Sequence, residues 1–498
     1  MKVCKGCYDA AHIGSAGIKR RILPLFLACA ILLTGCEIGK DGEELISERT
    51  DDNLTWGMEP VFEYEIPAER PVVLVDRQGY LEKSTKTAFF EAKTAPTTFS
   101  VLEKESDKVV YTGEVIQKEN VGYIGTFTDL QDPGEYYIKS DVAGCSYYFT
   151  IGDDSFDRTA EALKGKLLES QHLLDKETDT KEICEMLSYL MTGYEIYPYL
   201  YEELWNEDAS AVAGEENNMQ SGKAFFDVLQ VDTNWLLTMQ DSTTGGVYSG
   251  IVPSTGSRAG QSTETSDAQI LKEVSAESTA CFIAVMAKYG YLYQQYDMNY
   301  ATTCLKAAAK AWKYLESMDA EKTAAEKDSV EKTAAGQDMI RKRFFAASEL
   351  YRASNDARYH TYIKNNQDAI LTNQEDIYGW MGKYTYLSTR RRVDKGICTQ
   401  MMNRFLEEAE RIAGESRQKP YLVGSEEVDD ILTDMTIMGI VDYVITNHEY
   451  STVIENHIHY MLGRNEMSTD HSQNLSAKDS ARLLFMLSAV TGEKDLIE

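Results

Sequence analysis

Three sets of side chains in this sequence have types and spacings that could do chemistry. The first is Leu33-Thr34-Gly35-Cys36, which follows an apolar run (22–33) preceded by Lys2, Lys5, Lys19, Arg20 and Arg21. A basic stretch, a short apolar core and small residues before a cysteine make a lipoprotein signal, in which the chain is cut before Cys36 and its thiol takes a lipid. The alternative is an ordinary secretory signal with an incidental cysteine. The run is too short to span a bilayer as a mature helix, which needs about 20 apolar residues. The second set, Cys4-x-x-Cys7, lies inside the signal and drops out with it. The third is His457-x-His459. On a helix, positions i and i+2 face different ways, so two partly exposed histidines are expected rather than a shared metal ion.

The other chemistry-bearing types narrow the field by what they lack. Cys145, Cys184, Cys281, Cys304 and Cys398 are widely spaced and odd in number, which argues against a disulfide framework and for small core residues. There is no D-x-D-x-D-G loop for calcium, and neither metal nor cofactor is expected. The formal net charge is −30 at pH 7, and removing residues 1–35 makes the remainder more acidic still. Such a surface repels nucleic acid and anionic headgroups, so no nucleic-acid partner is expected and the membrane is reached by the lipid anchor alone. It suits a protein on the bacterial cell surface or extracytoplasmic face, with a neutral partner such as a glycan.

The elements that must position any site fall into two blocks after a leader. Residues 1–35 are the signal and 36–68 an acidic tether with little aliphatic periodicity. Residues 69–152 alternate in short runs rich in Val, Tyr, Phe and Thr, at 71–75, 87–91, 98–102, 108–111, 123–127, 135–139 and 147–151. Asp132-Pro133-Gly134 is a turn in which Pro presets φ and Gly supplies a positive one. About seven strands in this span predict an all-β immunoglobulin-like sandwich. Residues 156–498 carry helical periodicity, with amphipathic segments at 159–174, 182–204, 223–239, 276–295, 301–318, 341–353, 357–371, 399–412, 428–445, 452–462 and 477–490. Glu321-Lys322-Thr323-Ala324-Ala325 recurs at 331–335, which marks 316–340 as a charged, solvated excursion between helices.

Several motifs, in order along the chain, carry a family resemblance. Val75-Asp76-Arg77-Gln78-Gly79-Tyr80 and Pro133-Gly134-Glu135-Tyr136-Tyr137 resemble the V-N-Q-V-G-Y and P-G-x-Y-Y runs of an immunoglobulin-like domain that precedes many catalytic domains of glycoside hydrolase family 9, the inverting cellulases. Trp235-Leu236-Leu237-Thr238-Met239-Gln240 with Gly245-Gly246-Val247-Tyr248 is similar to W-L-L-K-M-Q…G-G-V-Y of that catalytic domain. Ala346-Ala347-Ser348-Glu349-Leu350-Tyr351 resembles its A-A-x-E-L-Y helix, and Tyr460-Met461-Leu462-Gly463-Arg464-Asn465 its Y-x-L-G-x-N motif. The resemblance implies an all-α (α/α)6 barrel behind the sandwich.

It also implies a site. Inverting glycosidases set two carboxylates about 6.5–9.5 Å apart, one as acid and one as base for a water. The family's acid is the Glu of an Asn-Glu pair, but here Asn474 is followed by Leu475, which has no proton to give. The family's D-A-G-D base loop has no counterpart, and only 172–179 joins the first two helices. Register puts Asp175 near the second Asp of that loop and His172 near the first, while Asp175, Glu177 and Asp179 also suit a solvated loop with helix-capping acids. Glu466 is the acid nearest the lost Glu. The family's H-x-H-H-R-like segment is missing, and His471 and Arg464 do not replace it. Sugars stack on aromatic faces, which nominates Tyr248 and Trp380, with Tyr384 and Tyr386, against a packing role for each. The expectation is a catalytically degenerate cellulase relative that binds a polysaccharide, an oligosaccharide or a surface partner. The alternatives are an active endo-glycosidase using relocated Asp175 and Glu466, and a surface scaffold that binds no glycan.

Overall fold

The computed structural model describes residues 64–68, 71–94, 96–206, 215–253, 269–321, 333–371, 376–445 and 449–491. The signal, Cys36 and nearly all of the tether lie outside the described residues, as does 322–332 of the charged insert.

The N-terminal domain is β1 (Val73–Leu74), β2 (Gly79–Tyr80), β3 (Thr87–Phe90), β4 (Thr98–Glu103), β5 (Val109–Lys118), β6 (Gly122–Thr126), β7 (Gly134–Ser140), β8 (Gly144–Cys145) and β9 (Phe149–Ile151). The path β1-β3-β6-β5 forms one layer and β4-β7-β9-β2 the other, with the ten-residue β5 pairing into both. The period of two decides which side chains go inside. Phe90, Phe99, Val101, Phe127, Ile138 and Phe149 fill the space between the layers, while Phe89 and Ile124 turn outward to a second cluster. The strands at 79–80 and 144–145 were not expected; at two residues each they are too short to show alternation.

Helices and short strands follow: α1 (Asp157–Gln171), β10 (Thr178–Asp179), α2 (Thr180–Ile196), α3 (Pro198–Trp205), α4 (Glu215–Thr238), β11 (Val247–Tyr248), β12 (Gly250–Pro253), β13 (Gln269–Leu271), β14 (Val274–Ser275), α5 (Ala276–Tyr293), α6 (Met298–Ala320), α7 (Ala334–Ser354), α8 (Ala357–Asn365), α9 (Gln367–Ile370), α10 (Ile377–Ser388), α11 (Lys395–Ser416), α12 (Val428–Ile445), α13 (Ser451–Met461) and α14 (Ala477–Thr491). Six of them close a ring: α2, α5, α7, α10, α12 and α14 each pack on the next, and α14 returns to α2. They run the same way, because ion pairs join like ends. Lys181–Glu277 links the starts of α2 and α5, and Glu195–Lys288 links their C-terminal halves.

All six helices therefore begin at one end of the ring, and local chemistry fixes most of those starts. Asp179, Ser275, Thr333 and Asp376 accept first-turn N–H groups of α2, α5, α7 and α10. Ser476 Oγ accepts the Asp479 N–H of α14 at 3.1 Å. Each cap satisfies a donor the helix cannot and contributes about 1 kcal/mol.

Three expectations about the elements are corrected. The helix expected over 182–204 is two, because Pro198 has no N–H to continue α2 and instead starts α3. The α7 helix begins at Ala334, inside the expected 316–340 excursion, and α6 runs into it as far as Ala320. The α10 helix was not expected at all: from Tyr378 to Ser388 every residue is buried, so no polar face alternates with an apolar one.

The domains meet through the motif that opens on Tyr460. Leu462 O accepts the Arg77 N–H at 3.1 Å, and Gly463 sits at φ +122°, where a Cβ would come within 2.8 Å of the Arg77 side chain. Arg464 is wholly buried, donating to Thr87 O (3.3 Å), Asn456 O (3.0 Å) and Asn456 Oδ1 (2.8 Å) with its guanidinium over the Phe89 ring. The two histidines are likewise buried rather than partly exposed, and they do separate jobs. His457 Nε2 accepts the Gly424 N–H at 3.0 Å, so its Nδ1 donates to Val453 O at 2.7 Å, and burial pushes its pKa down to about 4. His459 Nδ1 meets Asp76 Oδ2 of the sandwich at 2.7 Å.

Candidate functional site

At the end where the six inner helices begin, their first three turns carry a belt of alternating charge. Arg341 Nε donates to Asp376 Oδ2 at 2.9 Å and its fork reaches Asp338 at 3.9 Å. Asp338 also takes Lys342, which lies 2.8 Å from Glu277 Oε1. Glu277 in turn takes Lys181 at 3.2 Å. Beside this run, Glu185 accepts the Tyr378 hydroxyl and lies 3.4 Å from Lys478, and Tyr378 receives the Cys281 thiol at 3.5 Å. On α12 and α14, Arg482 joins Asp429 (2.6 Å) and Asp479 (3.0 Å).

The belt tunes its members. Burial raises the Glu277 carboxyl, but the ammonium groups of Lys342 and Lys181 outweigh it and hold it below its ordinary value. Burial likewise opposes and Lys342 lowers Asp338, whereas Asp376, more deeply set and hydrogen-bonded to Asp338, is raised by burial despite Arg341. Lys342 and Lys181 are raised, their partners outweighing burial. One side of each outer pair stays open to water: Lys181 and Glu277 are 38% and 40% exposed and Lys478 30%, against 13% for Glu185.

Short strands build a rim on this end. β10 pairs with β12, and β11 with β14, so residues 178–179 and 247–253 stand over the starts of α2 and α5. Tyr248 is tied there by the Thr180 hydroxyl, which donates to its carbonyl at 2.7 Å. Its own hydroxyl donates to Asp241 Oδ2 at 3.1 Å, and its ring is half-buried. Turn amides and the hydroxyl of Thr244 hold the Asp241 carboxyl down to about 2, so Tyr248 is anchored to a fixed anion.

The nominated residues land in different places. Tyr248 belongs to the rim. Trp380 is 3% exposed, with Phe405 against its ring and the Lys383 ammonium over it, so neither it nor the buried Tyr384 and Tyr386 offers a face to a sugar. The reason is that α10 is an inner helix of the ring. Asp175 is exposed in the loop between α1 and β10, and Glu466 is exposed in the loop after α13. Residues of Glu466's loop serve the sandwich: Arg77 donates to Ser468 O at 3.3 Å and Gln78 to Asp470 Oδ2 at 3.0 Å. Leu475 is half-buried against the helical core, and Lys166 clamps its segment by donating to the carbonyls of Ser472 (2.9 Å), Gln473 (2.7 Å) and Leu475 (3.4 Å). Asp179 is taken up as the cap of α2, accepting from Lys181 N–H at 2.8 Å.

Sequence reasoning missed Glu185, Glu277, Asp338, Asp376 and Tyr378. One signal was available: Lys181/Glu185 and Asp338/Lys342 stand at i,i+4 near helix starts, a spacing that puts both members on one face.

Comparisons with known proteins agree with this architecture. The model of glycosyl hydrolase family 9 matches residues 185–475, more than half of the chain, and ends on Leu475. The model of the cellulase N-terminal ig-like domain matches residues 68–144. A cellodextrinase of Butyrivibrio fibrisolvens is 22% identical over 469 residues, covering 80% of this chain and 84% of the relative. Endoglucanase D of Acetivibrio thermocellus is 23% identical over 447 residues, covering 78% of this chain and 70% of the relative. Among solved structures, a Bacteroides ovatus GH9 protein superposes with a TM-score of 0.67 at 15% identity, covering 86% of this chain and all of that one.

Proposed function

This chain belongs to glycosyl hydrolase family 9, and we propose that it binds a β-glucan-type chain at the open end of its helical ring without hydrolysing it. The ring is read as an (α/α)6 barrel, and Cys36 as the lipid anchor that holds the protein on the extracytoplasmic face. The relatives above are a cellodextrinase and an endoglucanase, which supports a cellulosic oligosaccharide as the ligand class.

The observation that carries this reading is the belt. An inverting hydrolysis needs one carboxyl group that keeps its proton at working pH and a second that holds a water on the far side of the sugar. Glu277 and Asp338 are held below their ordinary values by ammonium groups, so neither keeps a proton. Glu185 is taken up by Tyr378 and Lys478. Leu475 occupies the family's acid position, and the base loop is reduced to a segment whose Asp179 caps a helix. What remains suits holding a sugar: the ring of Tyr248 is fixed at the rim, and the partly exposed Lys181–Glu277 and Lys478–Glu185 pairs offer donors beside acceptors for vicinal hydroxyls.

A second reading, hydrolysis by relocated carboxylates, is favoured by one observation. Asp376 is raised while its hydrogen-bonded neighbour Asp338 is lowered, which is how an acid and a base are told apart. Against it, one Asp376 oxygen accepts the Gly379 N–H and the other is held by Arg341.

The experiment pairs binding with turnover. Cellohexaose is titrated into the purified full chain by calorimetry, and release of reducing ends is measured on cellulose, mixed-linkage β-glucan and xylan. Saturable binding without release is expected. Release that is abolished in Asp376→Asn, Asp175→Ala or Glu466→Ala would replace this reading with the hydrolytic one. Absence of both binding and release would leave the protein a surface scaffold.

A further inference from the structure

A second pocket lies away from the ring's open end, at the junction of the sandwich with α1. We infer that it is a binding site for an acidic sugar, a uronate residue of an oligosaccharide. Its volume is about 240 Å³, and its walls include Arg77 and Gln78 before β2, Glu135 on β7, Tyr148 beside β9, and Asp154 and Arg158 at the start of α1. Domain junctions are a common place for small-ligand sites, because two rigid surfaces fix the positions of polar groups on both walls.

The charges in the pocket are unequal in availability. Arg158 is exposed and makes no ion pair or side-chain hydrogen bond with any described residue. Arg77 lies over the Tyr147 ring, 4.9 Å from its centroid, and spends only NH1 on Ser468 O. Most of two planar guanidinium forks is therefore open, and that geometry matches a carboxylate in a bidentate way. Of the two acids that line the pocket, Glu135 is paired, with the Lys104 ammonium 3.0 Å from both its oxygens. Asp154 makes no side-chain ion pair among the described residues and is left as an acceptor, with Gln78 beside it, for hydroxyl groups.

The rest of the molecule sets the ligand's class. A chain of net charge −30 repels polyanions over most of its surface. Two available cations in a small polar pocket fit a ligand with one carboxylate and several hydroxyls. A nucleic acid or polyphosphate would carry its charge onto the acidic surroundings.

The test is calorimetric titration of the full chain with glucuronosyl-xylobiose, which carries a single carboxylate, with neutral xylotriose and inorganic phosphate in parallel. Glucuronosyl-xylobiose is expected to bind, to weaken as ionic strength rises, and to lose about tenfold in affinity in Arg158→Gln, the loss expected from one charged hydrogen bond. Arg158 is exposed, so this variant keeps its fold. Tyr248→Ala, at the ring's open end, is expected to leave glucuronosyl-xylobiose binding unchanged, which separates this site from the proposed glucan site. No glucuronosyl-xylobiose binding, equal affinity for xylotriose, equal affinity in Arg158→Gln, loss in Tyr248→Ala, or displacement by phosphate at equal concentration would each overturn the assignment.

Discussion

The two ends of the helical ring use the same charge types to opposite purposes. Toward the ends of α2, α5 and α7, Glu195, Lys288, Glu349 and Arg352 form a closed quartet, each side chain at most 2% exposed. Lys288 lies 2.8 Å from Glu195 and 3.3 Å from Glu349, and Arg352 closes the square at 2.5 and 2.6 Å. Thr385 adds a hydroxyl to Glu349 at 2.8 Å. At the opposite end, the belt of Lys181, Glu277, Lys342 and Asp338 is strung along the rim with much of its charge in water. Two carboxylates and two cations cancel in the quartet, and nothing outside can reach them. In the belt the charges balance as well, but Lys181, Glu277 and Asp338 are each more than a third exposed, so a ligand can exchange with water there. Burial, more than charge, separates a structural network from a binding surface.

The sharpest way to break this comparison is to remove one member from each end. Glu349→Ala leaves Lys288 and Arg352 sharing one carboxylate in a sealed core. Breaking a buried pair in this way costs about 3–5 kcal/mol, and urea denaturation is expected to show a loss of that size or an unfolded protein. A change under 1 kcal/mol would mean that water reaches the quartet and that the two ends do not differ as described.

Acid separates the regions next. His457 is neutral when buried, with its pKa lowered to about 4, whereas an unfolded histidine binds a proton below about 6.5. A depressed folded value means that its contribution is complete above the unfolded value and is lost as pH falls through the folded one. Between about pH 6.5 and 4 this single group removes about 3 kcal/mol. The quartet's Glu195, held down to about 2 by Arg352 and Lys288 against its burial, keeps its contribution through that range and loses it only as pH falls from about 4.5 toward 2. Stability measured at pH 7.5 and 4.5 is expected to fall much less in His457→Gln than in the parent. Parallel losses in the two would place the acid sensitivity elsewhere.

Between these sits the domain interface. Gly463→Ala puts a Cβ at φ +122° against Arg77, and a residue forced into such a conformation costs about 1–3 kcal/mol. The variant is expected to lower the melting temperature by a few degrees while Arg77→Ala in the same background restores part of it. No recovery in the double variant would mean that backbone strain alone, and no clash with the sandwich, sets the penalty.

How much of this was legible follows from which contacts are local. The sandwich and most helices could be read because Phe89/Phe90 alternation and the 3.6-residue period are written in neighbouring residues. The α10 helix could not, because an inner helix buried on all sides shows no polar face, and the same burial turned Trp380 from a proposed sugar platform into core. His459 looked like a surface residue because its partner Asp76 stands 383 positions away. The belt was half-visible. Asp338/Lys342 pair within a helix, but Lys342–Glu277 and Arg341–Asp376 exist only once the ring has closed. For Leu475 the structure adds only its setting, half-buried against the helical core with its carbonyl held by Lys166.

The smallest expected effect on stability is also the one that tests what the belt is for. Lys181→Ala removes an ammonium that is 38% exposed from a carboxylate that is 40% exposed. Surface pairs of this kind contribute about 0–1 kcal/mol, and Glu277 keeps Lys342 at 2.8 Å, so its charge is not stranded. Urea denaturation should barely move. If the belt is a sugar surface, cellohexaose affinity should fall about three- to tenfold in the same variant, since a hydrogen bond to a charged group contributes about 1.5–3 kcal/mol and part of it passes to water. Stability and affinity both unchanged would make Lys181 a bystander and shift the proposed contact to the Lys478–Glu185 pair. Stability lost with affinity retained would mean that the open end is held as tightly as the closed one, and that the difference between them is only how much water each can see.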